Sequence, residues 1–481
     1  MKTVFAKSVP GRTGVLPPKA DKTARDMLPQ NLLRARRPAL PELSELDVVR
    51  HYSRLSRLNY GVDANFYPLG SCTMKYNPKF IEAAVNYRGF TDTHPLLAQV
   101  DGGEALTQGN LEAIWLTEQL LQEVTGMRAF TMQPMAGAQG ELTGILLIAA
   151  YHRAKGNKKS KIICPDAAHG TNPATAALAG YEVVNIVSKD GMVDPEALAA
   201  VLDDSVAGLM MTCPNTLGLF EQHLPEIVRL LRSVDALLYY DGANFNACMG
   251  RLRVGDVGFD VVHLNLHKTM GTPHGGGGPG SGPVGVSERL IPFLPGPRVV
   301  KKADGRFGLN HDLPQSIGRV APFYGNFGVY LKALAYILRC GAEGLSRATD
   351  YAVLNANYLL ARLRGHLDIP YDRICMHEFV ASASKLGEYD VHALDLAKAL
   401  LDKGYHAPTI YFPLIVKECL MFEPTETESK EMLDAFCDDL IAICERARTD
   451  PAGVKAAPVT LPVRRLDETA AARNMILTEV E

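Results

Sequence analysis

The sequence predicts an α/β fold, with a large domain built on a mostly parallel sheet and a smaller C-terminal α/β domain. From Asn110 onward, short apolar strands alternate with amphipathic helices, which is the pattern of a doubly wound sheet. Two apolar runs, Ala236–Tyr240 and Val261–Leu266, are followed by Asp241 and Lys268 respectively. Ligands of open α/β sheets bind at the carboxyl ends of the strands, so the fold class also predicts where a functional site lies.

Composition and charge are those of a globular enzyme. The chain has 481 residues, of which 47% are hydrophobic and 21% charged, and its formal net charge is −3, which argues against a nucleic-acid partner. Nine cysteines occur without C-x-x-C spacing, so we expect reduced thiols and no metal site. We expect no signal peptide, because the first thirty residues contain no apolar segment of the required kind, and no apolar run approaches the roughly eighteen residues of a membrane helix. The expected location is cytoplasmic, with no membrane partner.

Changes in pattern along the chain predict its domains. The first 43 residues or so are Pro-rich and irregular, and Ser44 then begins a helix with a start that resembles a capping box. The predicted segments are an N-terminal arm and helix, a large domain, a small domain and a polar, loosely held tail, at residues 1–60, 61–325, 326–448 and 449–481.

Periodicity and turn residues predict the elements in order. Helices are predicted at residues 44–55, 78–87, 111–124, 142–154, 195–202, 224–232, 329–339, 351–364, 391–403 and 429–448. Strands are predicted at residues 161–164, 181–187, 207–212, 236–240, 261–266, 283–287, 406–411 and 419–422. Strands and helices alternate from residue 111 to residue 266, as a parallel sheet with crossover helices requires.

Asp241 and Lys268 together point to one cofactor. A lysine at the exit of an apolar strand is poorly solvated, which favours its neutral amine, and a neutral amine can condense with the aldehyde of pyridoxal phosphate (PLP). A lone lysine is more often a surface amine, and a lone aspartate at a strand end is often a turn or helix cap. The pair is more specific, because an acid on the pyridinium nitrogen keeps the ring an electron sink. Their order resembles that of the aminotransferase-like fold-type I PLP enzymes.

Further candidates follow other predicted strands. Backbone N–H groups of Gly137, Ala138 and Gln139, in a turn that leads into a helix, would cradle a phosphate, although a junction that binds nothing is an equal alternative. His169 lies where an imidazole can stack on an aromatic cofactor, although a lone histidine is more often structural. Asn215 resembles the asparagine that donates to the ring oxygen in aminotransferase-like enzymes.

The loop Tyr67–Pro78 combines small hydroxyl residues, a thiol and a lysine between Pro, Gly and Asn residues. Such a loop suits a substrate pocket, although an ordinary turn before a helix explains it equally well. The candidates for substrate binding are Ser71, Cys72, Thr73 and Lys75. His94 is a further histidine that could face a pocket.

Six motifs together resemble the glycine decarboxylase (P-protein) of the glycine cleavage system: Tyr67–Pro78, Gly137–Glu141, His169–Pro173, Asn215–Gly218, Asn265–Lys268 and Phe323–Gly328. The resemblance extends from about Arg54 to Glu423–Glu428. The chain length resembles the split form, in which two chains replace one long polypeptide, and Lys268 identifies the half that carries the cofactor, subunit 2. One departure is Met135-Ala136, where some relatives carry a hydroxyl residue, so phosphate binding would depend more on backbone groups.

The resemblance implies PLP-dependent decarboxylation of glycine, with release of CO₂ and transfer of an aminomethyl group to the lipoyl arm of H-protein. The implied partners are glycine, lipoylated H-protein and a companion subunit 1 in an α₂β₂ assembly. The implied cofactor-binding residues are Lys268, Asp241, His169, Asn215, Gly137, Ala138, Gln139, Asn265 and His267. The implied catalytic residues are Lys268, His169 and His94, with His274 a second candidate for acid–base chemistry.

Two alternatives belong to other functional classes. A fold-type I PLP decarboxylase for a bulkier amino acid is one, since some of these also carry a His-Lys pair, but the loop Tyr67–Pro78 argues against it. A non-catalytic scaffold subunit is the other, because the companion chain of the split enzyme resembles one. A scaffold would have no use for both Asp241 and Lys268.

Overall fold

The computed structural model describes residues 2–16, 18, 19, 21–36, 38–275, 278–322 and 324–477. Phe323, which begins one of the six motifs, lies outside the described residues. The chain divides into two units, Met1–Gly61 and Val62–Glu481. Across the described ranges, no helix is both long enough and apolar enough to span a membrane.

Three sheets are present among the described residues. Their strands are β1 (Ala129–Thr131), β2 (Lys161–Pro165), β3 (Glu182–Ile186), β4 (Val206–Thr212), β5 (Leu237–Gly242), β6 (Val261–Leu264), β7 (Val284–Val286), β8 (Arg298–Lys301), β9 (Phe307–Asn310), β10 (Phe379–Ser382), β11 (Thr409–Ile410) and β12 (Cys419–Phe422). The main sheet has the order β1-β7-β6-β5-β4-β2-β3. Its strands β2 to β6 are parallel, and β7 is antiparallel to both β1 and β6. The other sheets are the pair β8-β9 and the antiparallel sheet β10-β12-β11.

The helices that surround these sheets are α1 (Ala24–Met27), α2 (Glu45–Ser56), α3 (Phe80–Val85), α4 (Arg88–Thr91), α5 (Gly103–Leu106), α6 (Gln108–Thr125), α7 (Gly137–Ala154), α8 (Thr171–Leu178), α9 (Pro195–Val201), α10 (Leu224–Ser233), α11 (Leu266–Thr269), α12 (Phe327–Leu363), α13 (Ala393–Asp402), α14 (Lys430–Thr449), α15 (Pro451–Lys455) and α16 (Glu468–Arg473). Short 3₁₀ helices are formed by Phe5–Lys7, Gln30–Leu32, Leu97–Gln99, Phe245–Ala247, Glu288–Phe293 and Ser384–Tyr389.

The predicted fold class is confirmed by the main sheet. Every residue of β4 and β5 is buried, because helices cover both faces of a parallel sheet, and this is why these strands are nearly continuous apolar runs. One hydrophobic cluster contains Ile148 of α7 together with Tyr239 of β5. A second cluster contains Ile227 of α10 together with Leu238 of β5. Leu238 and Tyr239 therefore point to opposite faces of β5, and each packs against the helices on its own face.

Several elements differ from the predictions. The helix predicted from residue 142 begins at Gly137, so the predicted phosphate-binding turn is itself the first turn of α7. The two helices predicted at 329–339 and 351–364 lie in α12, which is broken only at Gly341, where φ is 60°. A glycine adopts this left-handed conformation without the steric cost of a Cβ. The strands β1, β8, β9 and β10 were not predicted; each has three or four residues, although the equally short strand Cys419–Phe422 was predicted.

The C-terminal segment is held more firmly than predicted. Val454 of α15 is buried. The Asp402 carboxylate accepts hydrogen bonds from the backbone N–H groups of Val459 and Thr460, at 2.7 to 2.9 Å. Order therefore continues at least to Thr460, because a buried side chain and several hydrogen bonds offset the loss of chain entropy. The predicted boundaries at 325 and 448 stay predictions.

The N-terminal unit has one regular helix of more than one turn, α2, among its described residues. Ser44 caps α2 as predicted, since its side chain accepts a hydrogen bond from the N–H of Asp47. The irregular arm before it folds back within the unit, where the N–H of Val9 donates to the carbonyl of Glu42 at 3.0 Å. Large apolar side chains of this arm stay exposed, among them Val15, Leu16, Met27, Leu32 and Leu40.

Candidate active site

Asp241 and Lys268 are both buried at the carboxyl ends of neighbouring parallel strands. Asp241 lies in β5 and is 1% exposed, and Lys268 is 9% exposed. The prediction placed Lys268 at the exit of β6. In the structure it lies in the single-turn helix α11 that follows this strand. Two strands that run side by side in register thus bring together an acid and an amine that are distant in the chain.

Four donors surround the carboxylate of Asp241, and the hydroxyl of Thr212, at 3.4 Å, is the most distant of them. The N–H of Ala243 and the Asn172 side-chain amide each donate at 3.0 Å, and Nε2 of His263 lies 3.3 Å from Oδ1. Burial raises the pKa of Asp241, but His263 and His169 together with these hydrogen bonds more than offset it, so the pKa is lower than its ordinary value. Asp241 is therefore a buried carboxylate that stays ionised.

His263 lies beside Asp241 but was not among the residues that the sequence interpretation singled out. Its Nδ1 lies 2.6 Å from the hydroxyl of Tyr239, and β5 and β6 pair Asp241 with His263 in register. Burial lowers the pKa of His263, so the ring is neutral. If Tyr239 donates to Nδ1, the ring proton is on Nε2 and points to Asp241. The available signal was a histidine within an apolar strand beside the strand that ends in Asp241.

Glu141 completes a buried group that we call the Asp241 cluster, made up of Glu141, Asp241 and His263. The Asn172 amide donates to both Glu141 and Asp241, at 3.0 Å each, and Thr171 donates to Glu141 at 2.6 Å. Burial, and then the charge of Asp241, raise the pKa of Glu141 to about 7. One carboxylate in this cluster is thus ionised, while the other holds a proton up to neutral pH. The sequence interpretation quoted Glu141 in a motif without a role.

His169 lies just beyond the carboxyl end of β2, as predicted. Its backbone N–H donates to Oγ1 of Thr212 at 3.1 Å, and its Nδ1 lies 2.8 Å from Oγ1 of Thr171. Burial lowers the pKa of His169, although Asp241 acts in the opposite direction. The imidazole is therefore neutral and held by one edge, and it lies close enough to Asp241 for that carboxylate to affect its pKa.

The first turn of α7 faces Asn265. A Cβ on Gly137 would lie 2.4 Å from Oδ1 of Asn265, so a larger residue there would displace the Asn265 side chain. No side chain caps this helix end, and Ala138 is exposed. The side chain of Gln139 is already used, since it accepts from the N–H of Met135 at 2.8 Å and donates to a carbonyl at 2.6 Å. What this turn offers a ligand is therefore backbone N–H groups.

Two predicted cofactor-binding side chains have protein partners. The Asn215 oxygen accepts from the N–H groups of Leu217 and Leu219, and its amide donates to Gly191 at 2.6 Å, so the side chain braces a turn. Nδ1 of His267 accepts from the N–H of Ser281 at 3.1 Å. Burial, with the nearby His274 and Lys268, lowers the pKa of His267 to about 3. The cofactor roles of Asn215 and His267 stay predictions.

The loop Tyr67–Pro78 meets the lysine through its backbone. Nζ of Lys268 donates to the carbonyl of Ser71 at 2.8 Å, and Sγ of Cys72 lies 3.0 Å from Nε2 of His274. Burial raises the pKa of Cys72 and lowers that of His274, so this pair is a neutral thiol beside a neutral imidazole. The structure thus places Ser71 in contact with Lys268, and joins Cys72 to one of the candidate acid–base histidines.

Thr73 and Lys75 point instead to acids of the C-terminal region. Thr73 donates to Glu423. Lys75 is 3% exposed, lies 3.1 Å from Glu426 and is above the ring of Tyr336. Burial lowers the pKa of Lys75, but Glu426 reverses the effect and raises it. Lys75 is therefore a buried ammonium with a fixed partner, and its role in substrate binding stays a prediction.

His94 stands apart from these groups. It is exposed, and its Nδ1 accepts a hydrogen bond from the N–H of Leu96 at 3.1 Å. Among the residues the structure describes, no hydrogen bond or ion pair connects His94 to Lys268 or Asp241. Its predicted catalytic role is the one with least structural support.

All nine cysteines are free thiols, as predicted. Seven of them are buried, and Cys72 and Cys340 are partly exposed. Of these two, Cys72 belongs to the loop that touches Lys268.

Comparisons with known proteins agree over the whole chain. A family described as "Glycine dehydrogenase, C-terminal domain" matches residues 348–458, and one described as "Aminotransferase class-V" matches residues 139–303. The chain is 56% identical to "Probable glycine dehydrogenase (decarboxylating) subunit 2" of Caldanaerobacter subterraneus subsp. tengcongensis, over 98% of each chain. It is 54% identical to the protein of the same name from Desulforamulus reducens, over 99% of this chain and 98% of the relative.

A solved structure confirms the fold. It is a glycine decarboxylase (P-protein) of the glycine cleavage system in inhibitor-bound form, with a TM-score of 0.72 at 21% sequence identity. The alignment covers 87% of this chain and 95% of that one. A glutamate decarboxylase from Lactobacillus brevis has the same general fold, with a TM-score of 0.62 at 14% identity.

Proposed function

Because the chain belongs to the family of glycine dehydrogenase (decarboxylating) subunit 2, we propose that it is the PLP-carrying subunit that decarboxylates glycine in the glycine cleavage system. The predicted resemblance to this family is thereby confirmed. The observation that carries the proposal is the buried pair Asp241 and Lys268 at the carboxyl edge of the main sheet. The pair also separates this chain from a scaffold subunit, which needs neither residue.

The residues at this edge fit PLP. Asp241 offers an ionised carboxylate, which a protonated ring nitrogen requires as its partner. The uncapped first turn of α7 offers N–H groups to a phosphate. Oδ1 of Asn265 and Oγ1 of Thr269 are buried, and neither has a hydrogen-bond partner within the described part of the chain. Buried polar atoms without partners are costly, so a polar ligand at this position would satisfy them.

Each protein group then has a distinct task. Bound PLP supplies an electron sink for the pair of electrons that remains on the substrate carbon when CO₂ leaves. Lys268 would hold the cofactor through its aldehyde group until the substrate amine replaces it, and the Ser71 carbonyl accepts a hydrogen bond from the lysine amine. The neutral ring of His169 would be free to stack on the cofactor, because burial disfavours its protonation. Asp241 would keep the cofactor's ring nitrogen protonated, and Nε2 of His263 lies 3.3 Å from this carboxylate.

The proposal includes transfer of the aminomethyl group to a lipoyl arm carried by H-protein, in an assembly with subunit 1. Support for an assembly comes from the N-terminal unit, whose Val15, Leu16, Leu32 and Leu40 are each more than 60% exposed. Apolar side chains spread along an irregular segment gain free energy when a partner covers them. The expected arrangement is α₂β₂ with a companion chain.

The decisive experiment replaces the lysine. Lys268→Ala should fold normally, lose the visible absorption band that PLP gains on bonding to a lysine amine, and lose glycine-dependent CO₂ exchange, since no other amine can take its place. Lys158→Ala, at an exposed lysine, is the matched control and should retain both. Normal CO₂ exchange by Lys268→Ala would refute the assignment.

Adding the partners one at a time tests the assembly. The isolated chain should bind PLP weakly and exchange CO₂ slowly, subunit 1 should raise the rate, and lipoylated H-protein should raise it further. Full activity of the chain alone, without gain from either partner, would favour a simple PLP decarboxylase. Comparison of glycine with bulkier amino acids would then identify its substrate.

A further inference from the structure

A second buried acid group lies beside the loop Tyr67–Pro78, and we call it the Glu378 cluster. It consists of His377, Glu378 and Glu423, each with 0% exposure. Glu378 immediately precedes β10 and Glu423 immediately follows β12, and these antiparallel strands pair Phe379 with Phe422. The register therefore places the two carboxyl groups opposite each other at one end of the small sheet.

Each acid contacts two loops at the carboxyl edge of the main sheet. Glu378 accepts hydrogen bonds from the N–H of Ser71 at 2.6 Å and from the Asn244 amide at 3.2 Å. Glu423 accepts from the hydroxyl of Thr73, and from the Asn246 amide at 3.3 Å. Asn244 and Asn246 follow Asp241 in the chain, so the cluster contacts both the loop Tyr67–Pro78 and the segment after β5.

The contact with Ser71 continues to the lysine. Ser71 has a φ of 62°, in the left-handed region that non-glycine residues adopt only at a cost, so its conformation must be held by neighbours. Its N–H is bound by Glu378 and its carbonyl by Nζ of Lys268. One residue in an unusual conformation thus connects Glu378 to the amine that reacts.

We propose that Glu378 and Glu423 are positioning residues that act as a protonated acid pair, holding the turn Ser71–Thr73 so that the Ser71 carbonyl binds the Lys268 amine. The relevance of this to turnover rests on the proposed function of Lys268. Two buried carboxyl groups that face each other repel when both are ionised, and a proton held by the pair removes this repulsion.

The electrostatics of the cluster agree with a neutral pair. Burial raises the pKa of Glu423 to about 7, and burial with the nearby Glu423 raises that of Glu378 further. His377 cannot neutralise them, because burial lowers its pKa to about 3. Among the described residues, the other titratable groups that interact with the pair are Lys268, Glu426, Cys72, Cys375 and Cys419.

The alternative ligand for this cluster is a divalent cation. One atom from each of the three side chains lies within 4.8 Å of the other two, which would admit a metal after a small contraction. The hydrogen bonds favour the proton, because Oε1 of Glu423 and both oxygens of Glu378 already accept from protein donors. A metal is therefore an outcome that the experiment must be able to reveal.

The test compares Glu378→Gln with Glu378→Ala in the full chain, using PLP affinity measured from the visible absorption band of the lysine-bound cofactor. A glutamine side chain mimics a neutral acid. Its amide oxygen can accept the hydrogen bond from the N–H of Ser71. The Asn244 amide can rotate to accept from the new amide nitrogen, because Oδ1 of Asn244 has no partner among the described residues. We expect Glu378→Gln to bind PLP within about twofold of the unsubstituted chain, and Glu378→Ala about tenfold more weakly, as for one lost buried hydrogen bond. Glu388→Gln, at an exposed glutamate, is the matched control.

Rescue by glutamine separates a neutral positioning acid from a required carboxylate. Equal weakening of both variants, or no weakening of either, would overturn the proposal. So would one bound divalent metal per chain, measured by elemental analysis of the purified protein.

Should Glu378→Ala fail to fold, Thr73→Val, which removes one donor to Glu423, is expected to weaken PLP binding about threefold. Unaltered binding by Thr73→Val would then overturn the proposal. Absence of the band in the unsubstituted chain would instead refute the proposed function.

Discussion

The Asp241 cluster and the Glu378 cluster have the same composition, two carboxyl groups and one imidazole, all buried, yet they hold different charges. In the first, Tyr239 anchors the far side of His263 at 2.6 Å, and the near side lies 3.3 Å from Asp241. In the second, neither nitrogen of His377 has a hydrogen-bond partner in the described part of the chain, and its nearest carboxylate oxygen is 3.7 Å away. The pKa of Asp241 is lowered, while those of Glu378 and Glu423 are raised.

The difference teaches that the groups that face a buried acid decide whether it is ionised, because burial alone raises the pKa of each of these acids. Asp241 receives a backbone N–H, an amide and an imidazole, which together stabilise one negative charge. Glu378 and Glu423 receive two donors each but face one another, so a charge on one opposes a charge on the other. The first arrangement suits an acid that must pair with a cation. The second suits an acid that must stay neutral and hold a backbone in place.

The largest expected effect comes from removing the charge of the first cluster. Asp241→Asn should still bind PLP but lose roughly 10²- to 10³-fold in turnover, the range seen when a preorganised electrostatic group is removed. A neutral amide cannot keep the ring nitrogen protonated, so the electron sink is weakened. Glycine-dependent CO₂ exchange is the measurement. Activity within a few fold of the unsubstituted chain would mean that Asp241 is a structural cap.

Glu141→Gln sharpens the comparison inside the first cluster, because Glu141 is the acid there that keeps its proton. Its pKa rises from the ordinary 4.5 to about 7 on folding, so the folded chain binds this proton more tightly than the unfolded chain does. The resulting stabilisation is complete below about pH 4.5 and is lost as the pH rises through about 7. A glutamine side chain has no acidic proton, so the variant lacks this pH-dependent contribution to stability.

We therefore expect Glu141→Gln to become more stable relative to the unsubstituted chain as the pH rises, by up to about 2 kcal/mol between roughly pH 5 and pH 8. The measurement is the urea-unfolding midpoint of both proteins at each pH. A constant difference across this range would show that Glu141 does not titrate in the folded chain, and that Asp241 shares its cluster with a second charge.

The part of the first cluster that could be predicted was the part encoded in local sequence. Asp241 and Lys268 each follow an apolar run, and the rule for open sheets places both at one edge. His263 has the same kind of signal, a polar residue inside such a run, but its partner becomes known only from the strand register. The main sheet was predictable for the same reason, since β4, β5 and β6 are apolar runs between turn residues.

The second cluster could not be predicted, because its geometry depends on long-range pairing. Glu378 lies more than three hundred positions from Ser71, and it borders β10, a four-residue strand that was not predicted. Glu423 was visible only as part of a motif, without a task. The one-turn helix that carries Lys268 was also missed, since four residues after a strand give no helical period.

The smallest expected effect, and the sharpest contrast with Asp241→Asn, is that of Glu423→Gln. The amide oxygen can accept from Thr73 and Asn246 as Oε1 does now, and the amide nitrogen takes the position of Oε2, which has no partner among the described residues. A neutral acid is thereby replaced by a neutral amide, so turnover below about pH 7 should fall by no more than about threefold, within the range of one altered hydrogen bond. The pKa of Glu423 is about 7, so above this pH the unsubstituted chain gains a buried charge that the variant lacks. The variant should then keep its activity to higher pH, as seen in CO₂ exchange against pH. A tenfold loss at low pH would show that the second cluster needs a carboxylate just as the first does.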